Sequence, residues 1–415
     1  MALAGKIEEL KVNNNLHIHD NLAFSILSKL PLKSLKHFGC VRKSWSLLFE
    51  NPHFMIMLRN QFSSNNHSDY GGGDKFLFLH EPELPVTHEY HYHGTFYFLP
   101  YDRFENRIKF DLPPPFQEYN RNIYILRSFS INGILCIGKD RLRGMVNTFR
   151  AVLWNPATVE SVIIPPSPDE SVPPYRNPYF IFHGFGYDHV RDDYKVIRYI
   201  SFFCTTDEDE DMPYEDRSYA PLLEIYSLRS NSWRIFEIEM CDMPDCDYAE
   251  PRTGSGVYMN GACHWWGNND LYNSTGCLVS FDLSNEVLST TPMPSDNDES
   301  CDFVVIQRHL VVLNESIALI SNRNNTTTFH ISILGELGVK ESWIKLFIIG
   351  PMPPIECPIG VGKKGSICFK RKDGELVWVD LSSQIIDEIG VKGERLCCQM
   401  GIYKENLLPI GGINK

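Results

Sequence analysis

From about residue 76 to the C-terminus, the apolar residues of this chain come in short runs with a period near two, and no long helical pattern separates them. Such runs include Phe76–Leu79, Ile134–Ile137, Ala151–Trp154, Tyr194–Arg198, Leu223–Ser227, Cys277–Phe281, His309–Leu313 and Leu376–Val379, with Gly, Pro, Asn and Asp between them. Without crossover helices a parallel α/β sheet is not buildable, so this part of the chain is expected to be all-β. A loose internal rhythm narrows the choice. A strand, a polar turn and a Trp recur at Ile225–Trp233 and at Ile331–Trp343, and Phe281-Asp282-Leu283-Ser284 is echoed by Val379-Asp380-Leu381-Ser382. Roughly 40–50 residues per four strands is the spacing of a propeller blade, so a kelch-like β-propeller is predicted, with a β-sandwich pair as the alternative.

The N-terminal segment reads differently. Asp20 is placed to cap a helix, and Leu22, Ile26, Leu27 and Leu30 follow at helical spacing. Pro31 ends that stripe and is placed to start another containing Leu35, after which Val41, Trp45 and Leu48 form a third. Three such stripes bury little surface alone and are expected to gain stability from a partner. The expected organisation is therefore α+β: a flexible N-terminus over 1–15, a three-helix unit over 16–60, a polar Gly-rich linker over 61–75 and a β-rich domain over 76–415.

Charge limits the partners. The net charge is −13, and residues 1–60 contribute +4, so the remainder carries −17. An acidic body of this kind is not a nucleic-acid-binding surface, which needs concentrated Lys and Arg. No apolar run reaches 18 residues and no apolar signal core opens the chain, so no membrane association is expected and a cytosolic or nuclear location is. The 12 Cys then read as thiols.

Catalytic and metal signals are weak. Cys241 and Cys246 have a spacing that zinc tolerates, but the next His, His264, lies in an apolar, strand-like run, and four ligands are needed. Cys397 and Cys398 adjoin and diverge on a strand. His88, His91 and His93 alternate, which reads as an exposed loop before it reads as a metal site. Residues 205–211 are acidic but lack the Gly and terminal Glu of a calcium loop. Gly184-Phe185-Gly186 lacks the third Gly and the helix of a dinucleotide fingerprint, and reads as a close approach between strands. Trp265-Trp266 reads as blade core rather than as a sugar or peptide pocket. No cofactor, metal or catalytic residue is expected.

Residues 16–54 resemble the plant F-box. The match is carried by Leu22, Ile26-Leu27, Leu30-Pro31, Lys33-Ser34-Leu35, Cys40-Val41, Lys43-Ser44-Trp45 and Pro52-His53-Phe54. Later segments resemble the F-box-associated interaction domain: Leu153-Trp154-Asn155-Pro156-Ala157-Thr158, Gly184–Asp188, Asp193-Tyr194-Lys195-Val196, Ser230–Trp233, Gly261–Trp266, Phe281–Glu286 and Val339–Trp343. The resemblance implies a non-catalytic substrate receptor of a Skp–cullin–F-box ubiquitin ligase. The hook would pack on a Skp-type adaptor, and through it on a cullin scaffold, while the β domain holds a target protein. The adaptor-binding candidates are Ile18, Leu22, Ile26, Leu27, Leu30, Pro31, Leu35, Val41 and Trp45, some of which form the small core behind the contact. Where the family usually has Leu-Pro, this chain has Ile18-His19. Losing the proline's fixed φ costs on the order of 1 kcal/mol or less. The alternatives are an F-box-like module acting outside a cullin ligase and a propeller-fold enzyme.

Overall fold

The computed structural model describes Ile26 and residues 75–83, 93–100, 107–114, 116, 123–126, 130–139, 151–167, 176–204, 222–236, 256–268, 276–294, 306–323, 326–352, 354–362, 365–392, 399–404 and 410. The chain separates into two compact units, Met1–Gln61 and Phe62–Lys415. In the first, Ile26 is helical and 49% exposed. The other hook candidates, Ile18, Leu22, Leu27, Leu30, Pro31, Leu35, Val41 and Trp45, lie outside the described residues.

Over its described residues the second unit is a β-propeller of six four-stranded antiparallel sheets, not a pair of sandwiches. Blade 1 holds β1 (Lys75–Glu83), β2 (His93–Pro100), β3 (Ile108–Phe110) and β24 (Gln399–Lys404). Blade 2 holds β4 (Ile123–Ile125), β5 (Leu135–Lys139), β6 (Ala151–Asn155) and β7 (Glu160–Ile164). Blade 3 holds β8 (Arg176–Asp188), β9 (Asp193–Cys204), β10 (Leu222–Ser227) and β11 (Ser232–Phe236). Blade 4 holds β12 (Gly256–Met259), β13 (Ala262–Asn268), β14 (Gly276–Asp282) and β15 (Val287–Pro292). Blade 5 holds β16 (Ile306–Leu313), β17 (Ser316–Arg323), β18 (Phe329–Leu334) and β19 (Trp343–Ile349), and blade 6 holds β20 (Ile355–Val361), β21 (Ser366–Arg371), β22 (Glu375–Asp380) and β23 (Ile386–Lys392).

The ring closes without a free end. Strand β24 pairs with β1 from Lys75↔Lys404 to His80↔Gln399, so the last strand completes the first blade. Each blade then packs on the next through apolar side chains. Phe96, Phe98 and Tyr403 of blade 1 meet Leu135, Val152 and Trp154 of blade 2, and Cys136 and Leu153 meet Phe185 and Tyr226 of blade 3. Ile197 and Ile225 meet Cys263 and Phe281 of blade 4, and Leu278 meets Leu319 and Trp343 of blade 5. Phe329 and Phe369 bring blades 5 and 6 together, with ring centroids 5.0 Å apart. Leu376 and Cys368 return to Leu99 and Met400 of blade 1.

This packing revises the period-two reading. Strands β10 and β14 are buried on both faces, with burial running through Leu223–Tyr226 and Cys277–Phe281, because a neighbouring blade covers each side. Alternation returns over parts of the outer strands, Val287–Thr290 of β15 and Glu388–Lys392 of β23, which have one wetter face.

Antiparallel order puts every first-to-second and third-to-fourth strand connection of a blade at one end of the propeller. The second-to-third strand and blade-to-blade connections of the described strands start and finish at the other end. The first end is built from compact turns. Asn132-Gly133 and Asn260-Gly261 both have positive φ, as a two-residue hairpin requires. In blades 2, 3, 4 and 6 the third-to-fourth strand turns share a five-residue device. Asn155, Ser227, Asp282 and Asp380 end the third strand, and their side chains accept backbone N–H groups two or three residues on. The fourth residue beyond each has positive φ: Val159 at 61°, Asn231 at 50°, Glu286 at 56° and Gln384 at 56°. Val159 is the misfit, because a β-branched side chain is strained in that conformation and this one is 74% exposed, with little packing to compensate. Val159→Asn should therefore stabilise the protein by about 1 kcal/mol. A rise in the urea midpoint at constant slope checks this.

Candidate functional site

The compact-turn end of blades 3 and 4 concentrates the charged side chains. Lys195, on β9 and 3% exposed, donates to Asp188 Oδ2 at 2.9 Å, to the Leu283 carbonyl at 2.6 Å and to Glu286 Oε1 at 3.0 Å. Asp188, fully buried, also accepts from Ser284 Oγ at 2.6 Å, from Arg191 Nη1 at 3.1 Å and from the backbone N–H groups of Val190 and Arg191. Glu286 is shared with Arg234. The motif that starts β9 is thus tied to the motif that follows β14 in the next blade. Burial alone would raise the Asp188 and Glu286 carboxyls. For Asp188 the bonds from Ser284, Lys195 and Arg191 outweigh it, and for Glu286 those from Lys195 and Arg234 do. Both groups stay below the usual carboxylate range.

Glycine makes the approach possible. A Cβ on Gly186 would sit 2.3 Å from Leu283 Cδ1 and 2.7 Å from the Tyr258 ring, and one on Gly184 would sit 2.7 Å from both Cβ and Sγ of Cys263. The G-x-G segment is a contact surface for side chains of blade 4 rather than a meeting of two backbones. Tyr258 also donates its hydroxyl to the Tyr187 carbonyl at 2.8 Å.

A second lock joins blades 2 and 3. Arg198, 1% exposed, bonds Glu224 at 2.6 Å, and Ser167 Oγ donates to the same carboxylate at 2.7 Å. The guanidinium lies 4.0 Å from the centre of the Trp233 ring, a desolvated cation–π contact. Trp233 donates its indole N–H to the Pro165 carbonyl at 2.7 Å, and Trp343 does the same to Pro292 at 3.0 Å. The recurrent Trp in the sequence is therefore a repeated device: a fourth-strand Trp hooks the end of the previous blade's fourth strand.

Above the Lys195 network lies an open groove of about 430 Å³, lined by Arg191, Arg229 and Arg234 together with Ser230 and Ser232. It offers N–H and O–H donors to a ligand. The sequence reading missed this groove, although the segment Arg229–Arg234 carried a visible signal: two arginines flanking a Ser-rich turn.

The metal and catalytic candidates fall elsewhere. His264 lies on β13, 1% exposed, with Nδ1 2.8 Å from Ser280 Oγ, and burial pushes its pKa down to about 4. Among the described residues no group of three His, Cys, Asp or Glu converges as metal ligands would. Cys241, Cys246, Cys397, Cys398, His88, His91 and residues 205–211 lie outside the described residues. Trp265 is blade core, stacked on His183 at 4.9 Å, and Trp266 packs against the contact between blades 4 and 5. Burial raises the Cys136 and Cys263 thiols, so both behave as small apolar fillers.

Comparison with a family of known sequences agrees with this architecture. Residues 91–407 match the F-box associated beta propeller domain. The F-box protein CPR1 of Arabidopsis thaliana is 26% identical over 58% of this chain and 59% of its own length, so the chain spans about three fifths of that relative. An F-box/kelch-repeat protein of the same plant is 23% identical over 84% of each chain. The solved structure of TolB from Acinetobacter baumannii aligns with a TM-score of 0.44 at 10% identity, over 79% of this chain and 66% of that one. With the profile spanning the propeller from β2 to β24, the chain belongs to the plant F-box proteins that carry an F-box associated β-propeller domain.

Proposed function

We propose that this protein is the substrate-recognition subunit of a Skp–cullin–F-box ubiquitin ligase, working in the cytosol or nucleus. The observation that carries the reading is the family match over 91–407, preceded in the same chain by the hook residues Leu22 to Trp45. No chemistry is asked of this chain. The hook binds a Skp-type adaptor, the propeller holds a target protein, and the ligase gains from tethering, which raises the effective concentration of target lysines into the mM range. A ring whose blades are joined by the Lys195–Glu286 ion pair suits that task, since a rigid surface holds a bound target in one orientation.

Pull-down with a purified Skp adaptor tests the reading. The wild-type chain is expected to bind at micromolar concentration, and Leu30→Ala with Pro31→Ala to weaken binding at least tenfold, as loss of a central apolar anchor does. No detectable complex contradicts the ligase role. His19 motivates a second reading, an F-box-like module acting outside a cullin ligase. A complex that appears only after His19→Pro would favour it.

A further inference from the structure

We propose that the groove between the β8–β9, β10–β11 and β14–β15 turns binds a phosphorylated side chain of a protein partner. The proposal rests on the reading of the propeller as a protein-binding part. Three observations carry it. The first is charge. Arg191, Lys195, Arg229 and Arg234 line the groove against only Asp193 and Glu286, within a body whose net charge beyond residue 60 is −17. Both carboxylates are already committed. Asp193 accepts from Ser227 Oγ at 2.6 Å and from the Arg229 backbone N–H at 2.8 Å, while Glu286 is held by Lys195 and Arg234.

The second is donor geometry. Arg229 donates from Nη1 to the Arg191 carbonyl at 2.9 Å, which steadies the side chain at the cost of one of its five N–H bonds. The side chains of Arg191 and Arg234 are 50% and 46% exposed, so each keeps an edge toward solvent. Ser230 and Ser232 share one hydrogen bond of 2.8 Å, which leaves one of the two hydroxyl protons to give. Forks arriving from the β8–β9 turn, the β10–β11 turn and strand β11 fit a tetrahedral group with three acceptor oxygens and a charge of about −1.5 to −2 better than a planar carboxylate.

The third is size. A space of about 430 Å³ takes one side chain and its flanks, whereas an extended polyanion would have to run on across an acidic body. This favours a phosphorylated peptide over RNA.

The test uses the full chain. Thermal unfolding is followed with inorganic phosphate and with sodium chloride at matched ionic strength. The immobilised chain is then offered a Ser/Thr-phosphopeptide library, its unphosphorylated counterpart and polyuridylate. Phosphate at millimolar concentration should raise the melting temperature where chloride does not. Phosphopeptides should be retained at least tenfold over their counterparts and be eluted by phosphate. Arg229→Ala should lower retention at least tenfold, and Arg229→Lys should recover only part of it, because an ammonium cannot fork. Ser230→Asp, at an exposed turn position, places a carboxylate in the groove and should abolish retention even if the arginine variant fails to fold. A phosphate effect no larger than that of chloride, equal retention of the two libraries, preference for polyuridylate, or retention unchanged in these variants would each overturn the proposal. Loss of adaptor binding would leave the proposal standing, and loss of phosphate binding would leave the adaptor reading standing.

Discussion

Lys195→Met is expected to destabilise the propeller by about 3–5 kcal/mol, the range for removing one partner of a buried ion pair. The substitution keeps the volume of the stem but leaves Asp188, fully buried, without the amine that faces it at 2.9 Å. The Leu283 carbonyl loses a donor at the same time. Arg191 and Ser284 still reach Asp188, which keeps the loss from being larger. The damage should be local as well as global. Lys195 is the bolt between the β8–β9 hairpin and the β14–β15 turn, so amide exchange should rise first at the boundary of blades 3 and 4. Urea denaturation measures the total, and a loss below about 1 kcal/mol would mean that water already shares the pair. Since whole domains are stable by only about 5–15 kcal/mol, the expected loss is a large part of what holds the ring closed.

Stability should also fall steeply as pH drops from 6.5 to 4, and two of the buried histidines among the described residues set that window. Burial pushes His264 and His309 down to about 4 from an ordinary 6.5. Between those values the unfolded chain takes up protons that the native chain refuses, so stability rises with pH across the interval and is flat in this respect above it. Each imidazole contributes up to about 3 kcal/mol on full titration. Asp188 and Glu286, with Asp282 and Asp380, are held low in the native state, so their contribution is present above the ordinary carboxylate pKa and is lost as pH falls from there through their lowered native values. The two effects add and occur in sequence, histidines first. In His309→Phe the slope of unfolding free energy between pH 6 and 4.5 should drop by about half, whatever the variant's absolute stability. An unchanged slope would remove His309 from the account.

Much of this fold was legible because blade strands announce themselves locally. Ala151–Trp154, Tyr194–Arg198 and Cys277–Phe281 read as strands and lie in β6, β9 and β14. The repeat was readable at Trp233 and Trp343, and at Asp282 and Asp380. It was not countable, because the same turn position is filled by Asn155 in blade 2 and by Ser227 in blade 3. What the turn needs is a short side-chain acceptor, and several residue types supply one. The charged network was hidden for a different reason. Asp188, Lys195 and Glu286 stand in recognisable motifs, but Lys195 and Glu286 meet across a blade boundary, 91 residues apart in the chain. No periodicity within one blade encodes that pairing. The glycines at 184 and 186 signalled a close approach without naming what approaches, which proved to be Cys263, Leu283 and Tyr258.

The central claim is that the N-terminal hook, not the propeller, is the surface offered to the ligase. Hydrogen–deuterium exchange of the full chain, with and without a Skp adaptor, tests it most directly. The account predicts new protection confined to residues 16–54, with the β strands from Lys75 onward unchanged. Protection that falls on the propeller instead, or none anywhere at saturating adaptor, would contradict it.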